Sequence, residues 1–101
     1  MTDKAKSPKD LQNEQANEAL TQTVRSITNR RWFAIRRSLD MTIAEIQREQ
    51  EILLVVAANE RHLAEHGNES LDKFLEMTEV ETMEYLGFDT SDAEADKSEA
   101  A

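Results

Sequence analysis

His62-Leu63-Ala64-Glu65-His66 is the stretch whose residue types and spacing come nearest to metal chemistry. It spells H-x-x-E-H, a pattern of one class of zinc peptidases, and on a helix it sets both imidazoles one turn apart on one face. Such an enzyme also needs a distant third ligand and a substrate cleft, and a chain of 101 residues has little room for either. The reading adopted is the bland one, in which Arg61, His62 and His66 complement the carbonyl end of a helix. Asp92, Glu94 and Asp96 alternate like calcium ligands, but the position that such a loop reserves for glycine holds Lys97. There is no glycine-rich phosphate loop, no cysteine, and no serine placed with a histidine and an acid in a recognisable local motif. The chain is therefore expected not to be an enzyme, with no catalytic, metal-binding or cofactor-binding residue and no cofactor.

The other chemistry-bearing stretch is Arg30-Arg31-Trp32-Phe33-Ala34-Ile35-Arg36-Arg37, where arginines alternate with aromatics. Three readings compete. Arginines and aromatics on one helix suit phosphates and stacked bases. Alternatively, Trp32, Ile35 and Leu39 enter a core while the arginines meet the chain's own acids. In the third reading, Trp32, Phe33 and Arg36 anchor a protein partner, since tryptophan and arginine are frequent hot-spot residues. The formal net charge of -9 opposes nucleic acid as the main partner.

That charge is unevenly spread. No acid stands between Glu18 and Asp40, whereas twelve acids run from Asp40 to Glu84. A basic segment followed by an acidic body favours packing of the two on each other, or on a partner of mixed charge. The acidic body also admits a second rival function, a protein decoy of DNA, beside the small regulator that would use the arginine helix.

These residues must be positioned by helices. With 33% charged residues, two glycines and one proline, the composition is helical, and the expected fold is all-α: a small bundle of four to five short helices. Residues 1–20, with only Leu11 and Leu20 as large apolar side chains after Met1, read as a flexible polar segment open to transient helix from Asp10 onward, 21–88 as the helical domain, and 89–101 as a disordered acidic tail. Val24 to Thr28 suits a strand as well as a helix. Thr28 or Asn29 can cap a helix through Leu39, and the apolar run from Ile52 leads to basic residues and Gly67, the usual stop signals. Asn68 or Ser70 can cap the next helix, and Phe88 can fold back on Met83 after Gly87. The polar start and the short apolar run Ile52 to Ala58 indicate neither secretion nor a membrane span, so a cytoplasmic protein is expected.

The sharpest local signal is a device written twice. Leu39-Asp40-Met41-Thr42 returns 36 positions later as Leu75-Glu76-Met77-Thr78, with Glu45 and Glu81 three residues after each threonine. Threonine at an N-cap with glutamate at the third helical position is a capping box. Two helices should therefore begin at Thr42 and Thr78.

The order of these elements resembles the tail assembly chaperones of long-tailed bacteriophages, especially those infecting actinobacteria. The likeness runs from about residue 24 to 101: Thr28 to Ile46, an apolar helix with a basic end and a glycine, Ser70 to Thr78, then an acidic alanine-containing tail. It implies a small helical protein that binds the tape-measure protein, keeps it soluble in the host cytoplasm and helps recruit tail-tube subunits. A holdase needs accessible apolar surface. Trp32, Phe33, Arg36, Met41, Phe74, Met77, Met83, Tyr85 and Phe88 are the expected partner-binding residues, methionine being adaptable. Homo-oligomer formation is compatible with the same surface.

Overall fold

The computed structural model of the chain describes residues 7–91. Six helices follow in order: α1 Pro8–Arg25, α2 Asn29–Leu39, α3 Ile43–Arg48, α4 Gln50–His66, α5 Leu71–Glu76 and α6 Glu79–Tyr85. There is no strand among the described residues, so the all-α expectation holds, with more helices than the four to five anticipated. No helix among them is long and apolar enough to cross a membrane.

The additional helix is α1, which corrects the flexible reading of 1–20 for its described part. Ser7 caps it, its hydroxyl accepting from the Asp10 amide at 3.1 Å, and Pro8 occupies the first turn, where its missing N–H costs nothing. Two small contributions then hold it to the body: Ala16 and Leu20 are buried, and Val24 packs beside them. Ser26 ends the helix, so Val24 to Thr28 is helix end and turn rather than strand. Thr28 caps α2, its hydroxyl accepting from the Arg31 amide at 3.2 Å.

Both capping boxes form, with the same dimensions. The Thr42 hydroxyl accepts from the Glu45 amide at 3.1 Å, and the Glu45 carboxylate accepts from the Thr42 amide at 2.9 Å. At the second site Thr78 and Glu81 repeat both distances. The third helix stops at Arg48, because Glu49 is extended, and α4 starts afresh one residue later.

The long helix α4 is the hub: α1, α3, α5 and α6 all pack on it, while α2 leans on α3. Its apolar run faces two ways. On one side Leu54, Ala57 and Ala58 meet Leu20, Phe74 and Leu86; on the other Val56 meets Trp32, Ile35 and Ile46. Each large side chain so buried contributes about 1.5–3 kcal/mol. Gly67, at φ 76, ends α4 in the left-handed conformation that glycine adopts without strain.

The expected closure after α6 is complete. The Phe88 amide donates to the Met83 carbonyl at 3.0 Å and the Gly87 amide to Glu84 at 3.0 Å, the paired bonds of a Schellman motif. The chain then turns onto α1: the Gln12 side chain donates to the Gly87 carbonyl at 2.9 Å, and the Asp89 amide donates to Asn13 at 2.7 Å. Thr90 is buried and its hydroxyl donates to Glu84 at 2.8 Å. Asp89 and Thr90 are thus packed, and exposed Ser91 bonds back to Asp89, which corrects the disordered reading for these residues. The rest of the tail, including Asp92, Glu94 and Asp96, lies outside the described residues.

Candidate partner-binding surface

The nine residues expected to meet a partner do not form one surface. Trp32 and Phe74 are core: Phe74 is 0% exposed and Trp32 7%. Burial of both corrects their assignment as anchors. The helical spacing that suggested them is the same for a core position and an interface position, and here the chain's own α4 fills both. Met77, Met83, Tyr85 and Phe88 are half-buried against the Leu54 and Phe74 cluster. Phe33 and Arg36 face solvent, and Met41 lies half-buried at the edge of the Trp32 cluster.

The H-x-x-E-H residues serve architecture. The His62 ring stacks near His66 at 4.4 Å between centroids and meets Phe74 edge-on at 5.9 Å. Nδ1 of His62 hydrogen-bonds the Ser70 hydroxyl at 3.1 Å, fastening α4 to the start of α5. The Tyr85 hydroxyl donates to Glu65 at 3.2 Å; partial burial, with that carboxylate next to it, raises the phenol above its ordinary pKa. Among the described residues no group of three or more histidine or acidic side chains converges as metal ligands would.

The arginines divide. Arg31 alone turns inward, where its Nε donates to Glu60 at 3.0 Å and its Nη2 pairs with Glu69 at 3.1 Å. The hydrogen bond to Glu60, then that to Glu69, hold the guanidinium above its ordinary pKa against the lowering effect of burial. Arg30, Arg36 and Arg37 stay exposed and make no ion pair with the described residues. The expectation that the arginines meet the chain's own acids is met by one residue of α2 only.

Asn59 is the structural residue that sequence reasoning missed. It is 0% exposed, its amide donates to Glu69 at 2.8 Å, and its carbonyl accepts from the Ser70 amide at 2.8 Å. It satisfies the amide of Ser70, the donor that the glutamate of a capping box would take, while the Ser70 side chain makes no cap bond to α5. The available signal was an asparagine continuing the apolar face of α4 one turn after Val55 and Val56.

Two adjoining concavities border the first capping box, while others of about 490 and 630 Å³ lie between α1 and α4 and along α1. One of about 470 Å³ is bounded by Asp40, Met41, Glu45, Arg48, Glu49 and Ile52. A second, of about 230 Å³, shares Asp40, Met41 and Glu45 with it and reaches Arg36 and Arg37. Met41 thus stands between two adjoining hollows whose rims carry both signs of charge. The corner itself is made sharp by Asp40 at φ 55, a left-handed residue whose successor Met41 donates its amide to the Arg36 carbonyl at 3.2 Å. Glu45 is held below the usual carboxylate range, first by the Thr42 amide and then by the Thr42 hydroxyl. Comparison with known proteins returns no matching family, no matching curated protein and no matching solved structure.

Proposed function

We propose that the protein is a non-enzymatic protein-binding module, a phage tail assembly chaperone that holds the tape-measure protein in soluble form in the host cytoplasm and helps bring tail-tube subunits to it. Support comes from the order of elements that resembles that family, and from one observation above the others: the open hollow on either side of Met41. A flexible thioether next to Ile52 offers an apolar seat for the face of a client helix, and Arg36, Arg48, Asp40 and Glu49 around it can meet client charges of either sign. Such a seat tolerates many successive helical segments, which suits a long client better than a single tight pocket does.

Co-expression with a cognate tape-measure protein tests this. The full chain should move that protein into the soluble fraction and co-purify with it, and Met41→Glu should lose most of the recovered client while the fold persists. A client that stays insoluble with and without the chain overturns the reading.

A further inference from the structure

Two exposed apolar side chains stand in opposite electrostatic surroundings. Phe33 is 52% exposed on α2. Arg30, Arg36 and Arg37 lie three or four positions from it, which on a helix places them one turn above or below. All three are exposed and unpaired with the described residues, and α2 itself carries no acid, although Asp40 caps its end beside Arg36 and Arg37. Leu75 is 46% exposed near the end of α5. Asp72 lies one turn before it, Glu76 follows it, and Glu79 opens α6; these three are likewise exposed and unpaired with the described residues. The nearby cation, Lys73, lines a hollow with Asp72, Ser38, Glu69 and Ser70.

Cations predominate around Phe33 and carboxylates around Leu75, so the two patches are complementary in sign. Two Phe33 faces meeting across a two-fold axis would set arginine against arginine, and two Leu75 corners would set carboxylate against carboxylate. The crossed arrangement places Phe33 beside Leu75 and guanidinium groups on carboxylates. We propose that the α2 face of one copy docks on the α5–α6 corner of a second copy, in a head-to-tail contact through Phe33, Arg30 and Arg37 on one side and Leu75, Glu76 and Glu79 on the other. This proposal does not depend on the client seat at Met41.

A heterologous contact of this kind leaves one free patch of each type at the ends of every pair, so copies add until a ring closes or a filament grows. The contact is small, since the 11 residues of α2 extend about 16 Å. It falls below the area of a standard permanent interface, and association is weak and rises with concentration. Single-stranded nucleic acid could also use arginines around an aromatic. It would leave Leu75 without a role, and its phosphates beyond three turns of helix would run along a surface that carries the rest of the -9 charge.

Sedimentation equilibrium of the full chain decides it. Average mass should rise with protein concentration at low salt and fall toward the monomer as salt is added. Phe33→Asp and Leu75→Lys alter exposed positions, and each alone should weaken association about ten-fold or more. Mixed together they should form a pair and nothing larger, because only one intact Phe33 face and one intact Leu75 corner remain to meet. The charge-only variants Arg30→Glu/Arg37→Glu and Glu76→Arg/Glu79→Arg, each defective alone, should likewise associate when mixed. A wild-type chain that stays monomeric at every concentration overturns the proposal, as does a mixture of the Phe33 and Leu75 variants that stays monomeric. So does binding of a single-stranded oligonucleotide that Phe33→Asp abolishes while the chain shows no self-association.

Discussion

The two capping-box corners use the same four hydrogen-bonding groups at the same distances, yet they sit in different parts of the molecule. At the first, the fourth helical residue is Ile46, 0% exposed between Trp32, Ile35 and Val56. At the second it is Thr82, 1% exposed, whose hydroxyl donates back to the Thr78 carbonyl at 3.1 Å instead of filling an apolar site. Met41 remains half-open above two hollows, whereas Met77 packs on the central cluster. A capping box therefore fixes where a helix starts and in which direction, while the neighbouring residues decide whether the corner becomes core or surface.

The largest separation between the corners should come from the fourth residue after the cap. Ile46→Ala is expected to cost about 3 kcal/mol in urea unfolding, through lost burial and an unfilled cavity. Thr82→Ala should cost about 1 kcal/mol, because its hydroxyl bond is local. Equal losses would mean that the two corners are energetically alike despite their surroundings.

Next comes the helix start that has no box. Asn59→Ala removes the side chain that binds the Ser70 amide and Glu69, leaving both in a partly buried setting, and should cost about 2 kcal/mol. Hydrogen exchange in α5 should quicken more than in α3. Thr42→Ala and Thr78→Ala, in contrast, should cost about 1 kcal/mol each and should match one another, since the caps have the same geometry. A clear inequality would show that the acids around the second threonine, or the arginines near the first, add to the cap.

Two smaller effects belong to the first corner alone. Asp40→Gly relieves a left-handed non-glycine residue and should stabilise the fold by about 0.5–1 kcal/mol in the same unfolding measurement. Met77, extended at φ -76, offers no such gain. Glu45 gives a pH dependence of known sign. Its folded pKa lies below the unfolded value, so its contribution is present above the ordinary carboxylate range and is lost as pH falls through the depressed folded value. Glu45→Gln should flatten that part of the acid-side stability curve.

Local features were the most legible from sequence. Thr42, Glu45, Thr78 and Glu81 act within four residues of one another, so their chemistry could be read without knowing what packs nearby. The stop at Gly67 and the fold-back of Phe88 on Met83 have the same short range. Ser7 and Pro8 are an equally local start signal, but Leu11 and Leu20, the large apolar side chains of that segment, read as too few to hold a helix. The sufficiency of Leu20 with Ala16 depends on α4 and on Gln12 and Asn13 gripping residues 87 and 89, which are distant in sequence. The same distance concealed Asn59 and the inward turn of Arg31. Neither Ser70 nor Glu60 is marked in the sequence as the place where a buried amide or guanidinium would find its partner. For the candidate surface, periodicity selected apolar positions correctly but could not separate Trp32 and Phe74, which α4 covers, from Phe33, which nothing in the described chain covers.

The central placement of α4 has a kinetic consequence. Four of the other five helices lean on it, and Val56, Ala57, Ala58 and Asn59 are all 0% exposed in its middle. Loss of an outer helix can be a local fluctuation, but release of those amides to deuterium requires both apolar clusters to part together. The slowest-exchanging backbone hydrogens of the molecule should lie within that one turn, and their exchange free energy should equal that of global unfolding.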